Sequence, residues 1–109
     1  MNIPSFPFST TDFTDIEPTM HNGVTGFAEW RTLIKDDIRI RLVKYSPGYF
    51  ADHWCSKGHV IFCVDGEMET ELQDGRKFIL KKGMVYTVGD NIDAHRSKTQ
   101  NGCTLFIVD

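Results

Sequence analysis

A chain of 109 residues, 40% hydrophobic and 25% charged, has the length and apolar content for one hydrophobic core and too few residues for a second. Its formal charge of -3 comes from interspersed signs with no concentrated basic face, which argues against nucleic-acid binding. The longest apolar run, Val60 to Val64, falls far short of the ~20 residues of a membrane-spanning helix, and the first ten residues carry no readable secretory signal, so no membrane association and a cytoplasmic location are expected.

The first 23 residues combine Pro4, Pro7 and Pro18 with Phe6, Phe8 and Phe13 in a polar, irregular context. Aromatic content of this kind points to an arm, residues 1–23, that docks its phenylalanines on a surface, a second subunit's among the choices, rather than to a disordered tail. His21 in this arm is expected to be exposed. From Val24 onward, short β-branched and aromatic runs bounded by turn residues predict strands at Gly26–Ile34, Ile38–Tyr45, Tyr49–Cys55, His59–Val64, Glu67–Gln73, Lys77–Leu80, Met84–Val88, Ala94–Lys98 and Cys103–Val108. No stretch keeps a helical period over three turns. Residues 24–109 then form one all-β domain, and so many short strands call for a barrel or a two-sheet jelly roll to limit exposed edges.

Two Asp-Gly pairs, Asp65-Gly66 and Asp74-Gly75, predict tight hairpin turns. Between them Glu67, Glu69 and Glu71 alternate with Met68, Thr70 and Leu72, which places the acids on a wet outer face rather than in a cation site. Phe27, Tyr45 and Tyr86 are candidates to line an interior pocket.

Chemistry concentrates in two windows. Of four histidines, His53 and His59 fall with Cys55 between Gly48 and His59, and His95 lies in Asp93–Ser97. On an extended strand His53 and Cys55 share a face, with Asp52 and Trp54 opposite, Trp54 then packing on the arm or another subunit. A turn at Ser56–Gly58 returns His59 to the inner face, followed by Ile61 and Cys63. Imidazoles and a thiolate converging inside a barrel suit borderline or soft divalent metals rather than magnesium or calcium. The alternative from residue types alone is that the histidines are hydrogen-bonded core residues and Cys55 a buried filler. Three cysteines cannot all pair within one chain, and Cys63 and Cys103 read as buried sheet residues.

The stretch Gly48–Gly66 resembles the first cupin motif, with His53 at its first histidine, Cys55 at its second, His59 at its glutamate and Gly66 at its closing glycine. Gly83–Thr99 resembles the second, with His95 at its histidine. More narrowly, Ala51-Asp52-His53-Trp54-Cys55, Asp65-Gly66-Glu67, His95-Arg96-Ser97 and Leu105–Asp109 resemble a subgroup of small bacterial cupins named for its Asp-His-Cys-Trp residues. The resemblance implies a cupin-type double-stranded β-helix and a homodimer. It also implies a metal on His53, Cys55, His59 and His95, for which the nitrogen and sulfur donors favour zinc, with nickel, iron and copper as the other candidates. The chain departs from the usual pattern: the Gly48–His53 gap is one residue short, Gly89 and Asn91 replace a proline and a glycine of the second motif, and His95 falls one position late.

Two functional classes follow: a metal-dependent enzyme acting on a small organic molecule held in the barrel, and a non-catalytic module that binds or senses a metal or small ligand. An open coordination position would mark the first and a closed tetrahedral one the second. A thiol chemistry centred on Cys55 ranks third, because no nucleophile, base and orienting group are recognisable together. The sequence names no catalytic acid or base.

Overall fold

The computed structural model describes residues 2–109, and its regular secondary structure is almost wholly strand. After a 3-10 turn at Phe13–Asp15 come β1 (Thr19–Asn22), β2 (Phe27–Lys35), β3 (Ile38–Tyr45), β4 (His59–Leu72), β5 (Lys77–Lys81), β6 (Val85–Val88), β7 (His95–Lys98) and β8 (Cys103–Val108). The described pairings are antiparallel, with β1, β2, β3, β8 and β4 side by side and β5, β6 and β7 all added on β4.

β4 belongs to both walls of this jelly roll. Its first half lies between β6, from His59↔Val88 to Phe62↔Val85, and β8, from Val60↔Val108 to Cys63↔Leu105. Its second half lies between β5 and β7. The changeover is a bulge between Cys63 and Asp65. Asp65-Gly66 is therefore not the hairpin turn expected: the β8 ladder runs on through Asp65↔Thr104 and Gly66↔Cys103, and the left-handed Gly66 (φ 76°) bends one long strand from sheet to sheet. A side chain there would collide with the Gly102 carbonyl. Asp74-Gly75 is a true hairpin turn, closed by Leu72 N–H to the Arg76 carbonyl at 2.8 Å, with Gly75 at φ 97°.

Strand alternation builds the interior. β8 buries Cys103, Leu105 and Ile107, β4 buries Ile61 and Cys63, and Val43, Ala28 and Met68 complete a core in which Val43, Cys63 and Leu105 are fully buried. Each large apolar side chain so placed contributes about 1.5–3 kcal/mol. Glu69 and Glu71 lie on the outer face as read, paired with Lys98 at 3.3 Å and Arg96 at 2.9 Å.

The arm docks on its own chain. Phe13 meets Phe106 edge-on at 6.4 Å, and Arg31 Nη1 donates to the carbonyls of Phe13 and Ile16, while Phe8 remains exposed. Its last part is not irregular, because Thr19–Asn22 pair with β2, and that pairing stacks His21 on Trp30 at 3.8 Å instead of exposing it.

The expected strand at Tyr49–Cys55 is instead a strap. Isolated bridges tie it to its neighbours, Phe50 to Thr25 and Lys98 and Cys55 to His95. Arg96 clamps it from outside, donating to Asp52 and Glu71 at 2.9 Å each and lying 4.4 Å over the Trp54 ring. Trp54 faces outward as expected, but its partner is Arg96 and not the arm. Phe27 is also outward, because its neighbour Ala28 takes the inward position.

Candidate metal centre

Three of the four candidate ligands meet at one point. One donor atom each of Cys55, His59 and His95 lie within 4.8 Å of one another. His59 opens β4 and His95 opens β7. Cys55 is set beside His95 by paired backbone bonds, Cys55 N–H to the His95 carbonyl at 2.8 Å and His95 N–H to the Cys55 carbonyl at 3.0 Å. The thiol lies 3.6 Å from His59 Nε2, and the two Nε2 atoms are 2.9 Å apart.

His53 is not in this group. It is exposed at a bend of the strap. The expectation that it shares a face with Cys55 assumed strand alternation, and the strap does not alternate because it carries no continuous ladder.

The outer nitrogens fix both tautomers. His59 Nδ1 is 2.9 Å from Asp109 Oδ2, and His95 Nδ1 is 2.9 Å from the Asp93 carbonyl. An ionised carboxylate and a carbonyl only accept, so each Nδ1 carries the proton. With each Nδ1 so engaged, the two Nε2 atoms face each other at 2.9 Å, a pair that a shared proton or a metal ion can bridge. A thiol stands beside the pair as a third donor. The carboxylate behind one imidazole and the carbonyl behind the other are the outer partners that metal-binding histidines use to fix ring orientation and raise basicity. Cys55, His59 and His95 can thus hold a metal ion.

The surroundings are charged and largely buried. Asp109, with no side-chain exposure, accepts from Arg39 Nε at 2.9 Å and Nη2 at 3.1 Å, from Arg41 Nη2 at 3.0 Å and from His59. Burial alone would raise its pKa, but the bonds from His59 and Arg39 and the charges of Arg41 and Arg39 outweigh that and hold it well below the usual carboxylate range. Burial lowers the pKa of His95, the bond to Asp93 opposes this, and His59 adds to the lowering, so the ring is kept neutral and able to ligate. Tyr86 meets His95 edge-on at 6.0 Å, and burial pushes its phenol far up. Tyr45 stacks on Tyr49 in the core at 4.2 Å.

The sequence reading missed Asp109, Arg39 and Arg41. Alternation puts the two arginines on one face of their strand, but the apolar opposite face of Ile38, Ile40 and Leu42 makes that face read as the outer one.

Two clefts reach the group. One of about 400 Å³ ends at His95, with walls of Leu72, Phe78, Leu80, Met84, Tyr86 and Val88, and with Arg76 and Asp93 at its polar end. The other, about 380 Å³, reaches His59 and Asp109 past Lys57 and Asp90. A larger groove of about 570 Å³ along the strap and Glu67 to Glu69 contains none of the three ligands.

No protein-family model matches the chain, and no curated protein matches it. Solved structures do. A protein described as a predicted oxalate decarboxylase from Thermotoga maritima aligns over 92% of this chain and 96% of its own, at TM-score 0.76 and 17% identity. A cupin domain from Schizosaccharomyces pombe covers 91% of this chain and 71% of its own at TM-score 0.71 and 14% identity. Ectoine synthase from P. lautus covers 93% and 76% at TM-score 0.68 and 16% identity. At these identities the likeness establishes the fold, a cupin jelly roll, and leaves the chemistry to the residues.

Proposed function

We propose that this small cupin holds a divalent transition metal on Cys55, His59 and His95, zinc ahead of nickel, iron or copper, and acts through it on a small organic molecule. The observation that carries the reading is the pair of Nε2 atoms facing each other at 2.9 Å beside the Cys55 thiol, with each Nδ1 held by an acceptor at 2.9 Å. A bound metal would supply Lewis acidity to a ligand oxygen or nitrogen. Asp109 holds His59 in the ligating tautomer, the Asp93 carbonyl does the same for His95, and the strap brings the Cys55 thiolate to them.

Three protein donors leave a tetrahedral centre one position short, which favours a ligand-accepting site over a closed structural one. The apolar cleft that ends at His95 has the size and lining for a small, largely apolar molecule. Two structural neighbours carry enzyme names, ectoine synthase and a predicted oxalate decarboxylase, and that supports the catalytic class. The non-catalytic binding or sensing module is the second reading, and it would gain if His53 moved in to close the site. The Ala51–Cys55 stretch supports membership of the Asp-His-Cys-Trp subgroup, and the three free thiols suit a reducing, cytoplasmic setting.

Cobalt substitution tests the site. A thiolate-to-cobalt absorption in the near ultraviolet that disappears in Cys55→Ser, with visible bands that change when a small exogenous ligand such as azide is added, supports the open three-ligand centre. Visible bands indifferent to azide favour the closed module, and no cobalt spectrum in folded protein contradicts the site. A homodimer is also proposed, on the exposed outer face of Val60, Phe62, Val64 and Val85, where Phe62 and Val85 are direct cross-strand partners. Light scattering should then show a dimer that Phe62→Asp converts to monomer.

A further inference from the structure

The inner face of the β4–β6 pair carries a phenol beside the two histidines. On that ladder His59 pairs with Val88 and Ile61 with Tyr86. Cross-strand partners share a face, and so do residues two apart on a strand, so the buried Ile61 sets both His59 and Tyr86 inside. Tyr86 is thereby the diagonal neighbour of His59, a separation of about 7–8 Å that an aromatic side chain can span. From β7, His95 meets the same ring edge-on at 6.0 Å. Tyr86 and His95 together line the cleft of about 400 Å³, so there is open space beside both. The Tyr86 hydroxyl makes no hydrogen bond among the described residues, yet the one buried side-chain nitrogen or oxygen among them without a partner is Arg41 Nε. The hydroxyl is therefore not sealed in the core, and the space it opens on is that cleft.

Charge gives the cleft a direction. Behind its inner end Arg39 and Arg41 exceed the Asp109 carboxylate by one positive charge, a Cys55 thiolate balances that charge, and a divalent ion on the three ligands then leaves the centre positive. At the outer end Arg76 is shared by two carboxylates, Asp74 at 2.9 Å and Asp93 at 3.3 Å, which leaves the rim with one negative charge in excess. The walls between are apolar, formed by Leu72, Phe78, Leu80, Met84 and Val88. An anionic head group is thus drawn inward and repelled from the rim, while an apolar body fits the walls. A phenol is protonated at neutral pH by its ordinary value of about 10. Burial and the Cys55 thiolate raise it further, against Arg41, so Tyr86 has a hydrogen to offer an anion.

We propose that Tyr86 is the specificity residue of the cleft, its hydroxyl donating to the carboxylate of an apolar-bodied acid that enters past Arg76 and Asp93 and presents that carboxylate to the Cys55, His59 and His95 centre. The assignment rests on the metal reading above and names the class of molecule that this centre takes. A carboxylate has two oxygens, so one is free to face the ion while the other accepts from the phenol. A ligand with a single lone pair leaves the phenol unused. Tyr86 binds and orients the acid, setting which end of the molecule faces the metal ligands.

The test is optical titration of the cobalt-loaded full chain, wild type and Tyr86→Phe, with benzoate, acetate and pyridine, read on the visible cobalt bands. Benzoate carries both the apolar body and the second oxygen, acetate the second oxygen without the body, and pyridine an apolar ring with one lone pair. Benzoate should bind wild type at least about tenfold tighter than acetate does, because its ring is buried in the cleft. Tyr86→Phe should weaken benzoate about tenfold or more, the low end for a hydrogen bond to a charged group. Pyridine affinity should differ by less than about twofold between the two proteins, since it has no acceptor left for the phenol. The thiolate-to-cobalt absorption should be the same in both. Benzoate bound equally by the two proteins, or benzoate and pyridine weakened alike, overturns the Tyr86 assignment and leaves the metal site standing. Benzoate no tighter than acetate overturns the apolar-bodied ligand. Independently of the variant, zinc-loaded wild type should show nuclear Overhauser contacts from the benzoate ring to Phe78 and Leu80, and benzoate bound without them lies elsewhere, which also overturns the proposal. Folded wild type that gives no cobalt spectrum before any ligand is added removes the metal reading, and the proposal with it.

Discussion

Replacing Asp109 separates the two roles assigned to it. The carboxylate accepts four bonds, three of them at Oδ2, from His59 Nδ1, Arg39 Nη2 and Arg41 Nη2, and one at Oδ1, from Arg39 Nε. In Asp109→Asn the amide oxygen should settle at the Oδ2 position, where three donors converge, and its NH2 should oppose Arg39 Nε. His59 keeps an acceptor and its tautomer, but a neutral one, while two guanidiniums lose their counter-charge. Loss of an outer partner of a ligating histidine costs roughly 10–100-fold in metal affinity. Asp109→Asn belongs near the low end, about tenfold, and Asp109→Ala, which frees the ring altogether, near the high end. Stability should fall in both, by about 1.5–3 kcal/mol for the charge-assisted bonds to the arginines. Because the folded-state pKa of Asp109 is depressed, its contribution is fully present above the unfolded value of about 3.9 and is lost as pH falls below it; the variants should therefore lose most of their deficit relative to wild type in strong acid. Zinc affinity by competition with a chromophoric chelator, and urea melts of metal-free protein at several pH values, give the numbers. Affinities of both variants within twofold of wild type would refute the tautomer argument.

Four further outcomes are expected. His53→Ala should keep its metal within about twofold, whereas His95→Ala should lose at least a hundredfold, both read by the same competition. Among the three thiols, iodoacetamide should label Cys55 first in native protein, with zinc protecting it, because Cys63 and Cys103 are buried and burial pushes Cys103 up to about 12. Arg96→Ala should release the strap, costing about 1 kcal/mol in denaturant melts and raising the mobility of Trp54 in fluorescence anisotropy. Gly66→Ala meets both a left-handed backbone and the Gly102 carbonyl, and its melting point should fall by an amount equivalent to at least about 2 kcal/mol.

The strands with clean alternation were legible in the sequence. β3 and β8 fall where the residue pattern puts them, and β8 alternates buried and half-buried residues along its whole length. Asp65-Gly66 misled for a physical reason: an αL glycine suits both a tight turn and a bulge, and only the continued pairing with β8 tells them apart. β1 was hidden because Thr19–Asn22 has too little apolar content to signal a strand by itself and depends on β2 for its ladder. The site was legible where pairing decides it. His59 and His95 each open a strand, and Cys55 is bonded to His95 through the backbone, so these three converge. His53 was misplaced since extended backbone without a ladder need not alternate. Asp109, Arg39 and Arg41 escaped because charged residues on a strand read as surface until the register shows them facing inward, where one carboxylate holds two guanidiniums and an imidazole.

Elemental analysis by inductively coupled plasma mass spectrometry of untagged protein, beside folded Cys55→Ser, His59→Ala and His53→Ala variants, tests the central claim most directly. The account predicts near-stoichiometric transition metal in the wild type and in His53→Ala, and its loss from Cys55→Ser and His59→Ala. Wild-type protein that is metal-free and stays so after reconstitution under reducing conditions would contradict it, and would leave the facing imidazoles to share a proton instead.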